Sequence, residues 1–244
     1  PCKPGVTLAD TGTGMLMSIT ILGALYRQQA TGQGEHLQLA MQDAMTQYTR
    51  LAYAYRDLNG KAAPRAGAKL FTTGNAPTGI FPCKPGGKND YVYIYTTRAG
   101  NHHWERLCKL LDREELIDDP RFSGPRERAK NEAVIDDILA EFTKKHTKRE
   151  AMKLIGECGV PCGAVLDVAE LYDDEDLNSR GIFQRMDHPE RGSYKMPTWP
   201  VKVDGGHLSL PASPLLGEHV DSVLSEWIGM SPEEIEKLKE DGAV

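Results

Sequence analysis

The sequence of 244 residues is poor in cysteine, carries no excess of positive charge and has no long uninterrupted apolar run. Its five cysteines are an odd number without a framework spacing, which excludes a disulfide scaffold and favours reduced thiols in a cytoplasm. The net charge of −6 argues against nucleic acid as the main partner. The apolar run at 15–25 is interrupted by Ser18 and Thr20 and is too short for a bilayer, so we expect no membrane partner.

We also expect no secretory signal; the sequence shows no internal repeat, and its composition is that of an ordinary globular protein. Alternating and helical patterns predict an α/β fold. The predicted strands cover 36–40, 91–97 and 164–167, and the predicted helices cover 11–28, 42–57, 102–111 and 131–142. Capping boxes at Thr147–Glu150 and Ser231–Glu234 open two more helices.

One carboxylate, Asp10, lies at the N-terminal end of the first predicted helix, in the segment ADTGTGM at 9–15. The helix is apolar on nearly every side, so we expect it to be buried. Asp10 has two interpretations. It can cap the free amides of the first turn, for which Asp is a preferred residue. It can also be a nucleophile, because the same amides favour a negative charge and stabilise an oxyanion forming beside it.

Several short motifs along the chain, taken in order, resemble one enzyme family. They are DTGTGM (10–15), GALYR (23–27), TGQG (31–34), AMQDA (40–44), GNAP (74–77), YVYI (91–94), HW (103–104), GVPC (159–162), MP (196–197) and PLLGEH (214–219). In this order they resemble the class III CoA-transferases, the relatives of formyl-CoA transferase, which share the CaiB/BaiF superfamily with the α-methylacyl-CoA racemases.

The resemblance implies roles for four residues. Asp10 matches the catalytic nucleophile of the family. Met41 matches a methionine near bound CoA and substrate, although core packing explains a methionine there equally well. Gly74 and Gly79 lie where relatives carry a glycine loop over the active site, but the chain has no run of adjacent glycines there, and a plain surface turn is the simpler interpretation.

The resemblance also implies an architecture. Residues 1–60 with 200–244 form the remnant of a Rossmann-like large domain that carries Asp10, residues 61–74 are a linker, and residues 75–195 are a small α/β domain. Family protomers resemble open rings that interlock as a homodimer. Relatives carry a long segment before the aspartate that supplies most contacts to CoA, so we expect this chain to be the C-terminal part of a longer protein. Leu16, Ile19 and Leu22 would then face water and favour association.

The implied function is CoA transfer from an acyl-CoA thioester to a small carboxylic acid, such as formyl-CoA and oxalate, through an aspartyl-CoA thioester, without a metal. One alternative is the related racemase or epimerase chemistry, in which the aspartate acts as acid or base. Another is that the chain is inactive alone.

Further polar groups have simpler roles. Adjacent His102 and His103 point in different directions on their helix, which argues against a shared metal or catalytic site. Asp43 starts a helix or forms an ion pair, and the acidic run 173–176 is a solvated helix start.

Overall fold

The structure is a computed structural model that describes residues 4–69, 71, 76–97 and 99–244. It divides into two units, an N-terminal unit (Pro1–Val165) and a C-terminal unit (Leu166–Val244). Helices and small antiparallel sheets occur together, which confirms the α/β class. The predicted association of residues 1–60 with 200–244 stays a prediction.

The N-terminal unit begins with three helices, α1 (Leu8–Thr31), α2 (Met41–Tyr48) and α3 (Arg50–Asn59). Helix α1 ends at Gly32, whose φ of 74° is the left-handed conformation that glycine adopts most easily at a helix end. The predicted helix over 42–57 is instead two helices, because Thr49 (ψ 13°) leaves helical geometry and turns its hydroxyl back to the carbonyls of Met45 and Thr46. The predicted strand over 36–40 is wrong: this extended segment has no partner strand among the described residues.

Helix α1 is long, apolar and largely exposed. Gly12 is its single buried residue, and Ile19 and Leu22 are 68% and 66% exposed. The prediction of a buried helix is therefore wrong for this chain, whereas the predicted exposure is confirmed for Ile19 and Leu22, and Leu16 is half-buried. By length and composition alone, α1 passes for a helix that could cross a membrane, as the core helix of a soluble protein also can, so the expectation of no membrane partner stays a prediction. The helix is longer than the apolar run over 15–25 because threonines, glycines and alanines on both sides continue it to 24 residues.

The rest of the N-terminal unit is a three-stranded antiparallel sheet in the order β1-β2-β3, covered on one face by helices. The strands are β1 (Thr78–Pro82), β2 (Tyr91–Tyr95) and β3 (Cys162–Ala164), and the helices are α4 (His102–Leu110), α5 (Pro125–Lys130), α6 (Glu132–Thr143) and α7 (Lys148–Glu157), with short 3₁₀ turns at Glu114–Leu116 and Pro120–Phe122. Thr147 accepts from the Glu150 amide, which confirms the capping box that opens α7.

The core of this unit lies between the sheet and its helices. Along β2 the side chains alternate: Val92 and Ile94 are fully buried, whereas Tyr95 on the other face is 41% exposed. The buried set continues through Phe81, Trp104, Leu107, Phe122, Ile135, Leu139 and Ile155. Helices α4 and α6 contribute the apolar faces that their sequence periodicity predicts.

An arginine, Arg128 of α5, is also fully buried in this core. Its Nε donates to the Ala76 carbonyl at 3.0 Å, and its Nη1 donates to Asn101 Oδ1 at 2.8 Å and to the Phe122 carbonyl at 3.0 Å. The guanidinium also faces the Trp104 ring at 5.8 Å. Burial lowers the pKa of Arg128 from its ordinary value. The arginine therefore joins three segments of chain through neutral acceptors rather than through a carboxylate.

The C-terminal unit is built from short elements. They are α8 (Val168–Tyr172), α9 (Glu175–Ser179), the hairpin β4 (Phe183–His188) and β5 (Gly192–Pro197), the hairpin β6 (Lys202–Val203) and β7 (Gly206–His207), then α10 (Val220–Val223), a π-helical turn (Leu224–Ile228) and α11 (Pro232–Glu240). The Asp174 carboxylate caps α9, which fits the predicted helix start in the acidic run. The Lys195 ammonium lies 3.7 Å from the centre of the Tyr172 ring and 5.0 Å from that of Phe183, and fastens the β4–β5 hairpin to α8.

Candidate functional site

Asp10 lies in the first turn of α1, as its third residue, and its side chain is exposed. The residue that precedes the helix is Thr7, so the interpretation of Asp10 as the N-cap is wrong. Thr7 does not cap the helix through its side chain either. The amides of the first turn therefore keep their partial positive charge next to the Asp10 carboxylate. Within the described residues, nothing donates a hydrogen bond to that carboxylate or pairs with it, so it is free to react with a ligand.

Gly12 holds the turn that carries Asp10 against α2. The Tyr48 hydroxyl donates to the Gly12 carbonyl at 3.0 Å. A Cβ atom on Gly12 would lie only 2.9 Å from Tyr48 Cε2 and 3.1 Å from its hydroxyl oxygen. Glycine is therefore required for the close approach of the tyrosine ring to the helix backbone. Sequence reasoning missed Tyr48, although a glycine inside an apolar helix is a recognised signal of close approach.

Met41 is the first residue of α2 and is 52% exposed. Packing in the core is therefore not its role in this chain, because Ala44 is the buried residue of that helix. Tyr48, at the other end of α2, contacts the turn of Asp10, and a helix rise of about 1.5 Å per residue places Met41 about 10 Å further along the α2 axis. Met41 and Asp10 thus share one helix pair without an observed contact between them.

Gly74 and Gly79 both lie where the resemblance implies a loop, but the structure describes only Gly79. Gly74 lies outside the described residues. Gly79 is in strand β1, where it pairs with Ile94, and it is buried, so the interpretation as a surface turn is wrong for this residue. The aliphatic stem of Lys69 covers it, with Lys69 Cγ 3.6 Å from the position of a Gly79 Cβ. The Lys69 stem therefore occupies the space that a side chain at position 79 would need.

The Lys69 ammonium is held by two carboxylates one turn apart on α6. It lies 3.2 Å from Glu132 Oε1 and also pairs with Asp136 Oδ2. Burial lowers the pKa of Lys69, but hydrogen bonds and charge attraction from Asp136 and Glu132 outweigh it and raise the pKa overall. Lys69 is thus a cation that fixes the chain ahead of β1 to α6.

His102 and His103 lie at the start of α4 with ring centres 4.3 Å apart. The amide of Thr97 donates to His103 Nδ1 at 3.0 Å, so that nitrogen accepts and is not protonated. Burial, then the neighbouring His102 and Arg106, lower the pKa of His103. His103 is therefore a neutral ring that organises the end of β2.

Comparisons with known proteins add to this geometry. A family model described as CoA-transferase family III matches residues 1–220. Formyl-CoA:oxalate CoA-transferase from Streptomyces coelicolor is 31% identical over the whole chain, which covers 62% of that protein. The protein of the same name from Rhodopseudomonas palustris strain BisA53 is 31% identical over the whole chain, which covers 61% of it. The chain thus spans less than two thirds of the length of these curated relatives.

Two solved structures resemble the chain. A CaiB/BaiF family protein from Brucella suis is 28% identical and superimposes with a TM-score of 0.73 over 93% of this chain and 57% of its own. Rv3272 from Mycobacterium tuberculosis is 20% identical and shares the fold, with a TM-score of 0.69 over 90% of this chain and 56% of its own. The matched region contains both α1, with Asp10, and the small sheet with its helices.

Proposed function

Because this chain belongs to the CoA-transferase family III, we propose that the protein transfers CoA from an acyl-CoA thioester to a small carboxylic acid, with Asp10 as the nucleophile. Curated relatives are named for formyl-CoA and oxalate, and we propose small acids of this kind as substrates. One observation carries the proposal: inside the matched region, Asp10 is an exposed carboxylate in the first turn of a long helix, without a partner among the described residues.

The reaction needs four exchanges at carbonyl carbons and no net proton transfer. A carboxylate oxygen of Asp10 attacks the thioester, the C–S bond breaks, and a mixed anhydride and CoA thiolate result. The thiolate attacks the Asp10 carbonyl and releases the donor acid, which leaves an aspartyl-CoA thioester. The acceptor carboxylate attacks that thioester, and the thiolate then attacks the acceptor carbonyl of the second anhydride. The products are the new acyl-CoA and free Asp10.

The position of Asp10 suits this chemistry. Each attack places negative charge on a carbonyl oxygen, and the uncapped amides at the start of α1 provide a partial positive charge within the same turn. The mixed anhydrides and the thioester hydrolyse if water reaches them, so Asp10 must be covered during turnover. We propose that a second copy of the protein provides this cover in a cytoplasmic homodimer, and that the exposed Met41 contacts bound CoA or substrate.

Covalent labelling tests the proposal. The protein is mixed with formyl-CoA, acetyl-CoA and oxalyl-CoA in turn and quenched with hydroxylamine or borohydride, and the modified peptide is identified by mass spectrometry. We expect label on Asp10, no label in Asp10→Asn, and unchanged labelling in Asp43→Asn. The last variant is a matched control, since Asp43 is an exposed carboxylate in the first turn of α2.

The outcomes separate the candidate functions. Label on another residue, or undiminished label in Asp10→Asn, would contradict the assignment of the nucleophile. Exchange of the substrate α-hydrogen in deuterated water without covalent label would favour racemase chemistry. Neither label nor exchange, with CoA binding detected by calorimetry, would refute catalysis by this chain.

A further inference from the structure

One hydroxyl on α1 differs from the other serine and threonine hydroxyls of that helix. Four of them donate to the carbonyl four residues earlier, as serine and threonine commonly do in helices. These are Thr11 to Thr7, Ser18 to Gly14, Thr20 to Leu16 and Thr31 to Arg27. The Thr13 hydroxyl does not, and its oxygen is enclosed by protein without a hydrogen-bond partner in the described part of the chain.

A buried hydroxyl without a partner is costly, because it loses its hydrogen bonds to water and gains none. The stability of the helix alone therefore does not explain why residue 13 is a threonine. Valine has nearly the same shape and would fill the same space without this cost. The hydroxyl must be accounted for by a partner that it meets in another state of the protein.

The neighbouring group without a partner is the carboxylate of Asp10, one helical turn earlier. Residues three apart lie on the same face of a helix, with Cβ atoms about 5–6 Å apart. Side chains in a helix lean toward its N-terminus, so Thr13 leans toward Asp10 rather than away from it. Among the residues that the structure describes, neither the Thr13 hydroxyl nor the Asp10 carboxylate has a partner, and this donor and this acceptor share one face of one turn.

We propose that Thr13 is a positioning residue for the reaction of Asp10. Its hydroxyl donates to one oxygen of the carboxylate when substrate is bound, which fixes the plane of the carboxylate and presents the other oxygen to the thioester. The inference rests on the proposed function, because it concerns the geometry of the nucleophile. Gly12 and Tyr48 support it indirectly, since they fix the backbone between Asp10 and Thr13 against α2.

Paired substitutions separate this role from a structural one. Thr13→Val removes the hydroxyl and keeps the shape, Thr13→Ser keeps the hydroxyl and removes the methyl group, and Thr20→Val is the control for loss of a helix hydroxyl that bonds its own backbone. The rate of Asp10 labelling by acyl-CoA is measured with quench-flow and mass spectrometry. KM and kcat for transfer and the midpoint of urea unfolding are measured in parallel.

We expect Thr13→Val to lower the labelling rate and kcat about tenfold, the effect of one ordinary hydrogen bond, while KM for acyl-CoA changes less than about twofold. We expect Thr13→Ser to restore most of the rate and Thr20→Val to leave it unchanged. The unfolding midpoint of Thr13→Val should stay the same or rise, because an unpaired buried hydroxyl is gone.

Two results would overturn the inference while the proposed function stands: Thr13→Val labels Asp10 as fast as the unaltered protein does, or Thr13→Ser labels as slowly as Thr13→Val. If the unaltered protein carries no label on Asp10, the proposed function fails and the inference fails with it. A labelling defect that is matched by an equal loss of stability in Thr13→Val would assign the hydroxyl to the fold, and would also overturn the inference.

Discussion

Substitution of Gly12 by alanine tests the contact that holds the Asp10 turn. In an open helix position, Gly→Ala stabilises by about 0.5–1 kcal/mol, because glycine loses more backbone freedom on folding. At Gly12 the new Cβ would lie 2.9 Å from Tyr48 Cε2, so the ring must move and its hydroxyl must leave the Gly12 carbonyl. Loss of that hydrogen bond costs about 1 kcal/mol, and crowding at the contact adds about 1–3 kcal/mol. We therefore expect a net loss of about 1–3.5 kcal/mol.

Gly23→Ala is the matched control, since Gly23 lies in the same helix with nothing within 4 Å of its Cβ position. Urea unfolding followed by circular dichroism should show stabilisation for Gly23→Ala and destabilisation for Gly12→Ala, a difference of about 2–4 kcal/mol. In a Tyr48→Ala background the crowding is gone, and Gly12→Ala should become stabilising by about 0.5–1 kcal/mol. Equal stabilisation by the two alanines in the unaltered background would refute the argument.

Three further measurements test other features of the structure. Arg128→Lys should lower the free energy of unfolding by about 3 kcal/mol in urea titrations. A lysine cannot reach the Ala76, Asn101 and Phe122 acceptors together. An unchanged midpoint of urea unfolding would contradict the role of Arg128 in joining these three segments. Burial, with a further contribution from Asp90, raises the pKa of Cys83 to about 11, and burial raises that of Cys108 to about 12. As the pH rises, the thiols of the unfolded chain lose their protons before the buried thiols of the folded chain do. The free energy of unfolding should therefore fall between pH 9 and 11 by about 2.7 kcal/mol per pH unit for the two thiols together. A free energy of unfolding that does not change with pH in that window would contradict the burial of the thiols. Ile19→Lys with Leu22→Lys should shift this chain toward smaller species in size-exclusion chromatography with light scattering, whereas a monomer before substitution would contradict the apolar association.

The helices and caps were the predictable part of this fold. The local sequence determines these elements. The apolar period of one helix lies within Asn131–Phe142, and the capping pair of the next is Thr147 with Glu150. The strand predicted over 36–40 failed because a strand needs a hydrogen-bonding neighbour, and alternation alone does not provide one. Burial of α1 failed for a related reason: its apolar side chains require a covering surface that the sequence pattern does not specify.

The candidate site was predictable only at Asp10, whose motif carries the resemblance to the family. The Tyr48 contact joins residues 36 positions apart and leaves no local pattern beyond a glycine. Lys69 and Arg128 are charged residues, which are ordinarily exposed, so nothing in their sequence context indicates a cation over Gly79 or a guanidinium in the core. Composition alone predicts a loop around Gly79, because residues 60–90 are rich in glycine, proline and lysine, whereas the structure has Gly79 in a strand, where it leaves room for the Lys69 stem.

Lys69 and Ala76 have a consequence for how the edge strand of the sheet is held. Lys69 is fixed to α6 by its two carboxylates, and the Ala76 carbonyl is fixed to α5 by Arg128. Ala76 lies two residues before β1, and the Lys69 stem lies beside Gly79 within that strand. In the sheet that the structure describes, β1 is an edge strand that pairs with β2 alone. Its remaining support thus comes from two helices, so a substitution in α5 or α6 that removes either attachment should loosen β1 without changing any residue of the sheet.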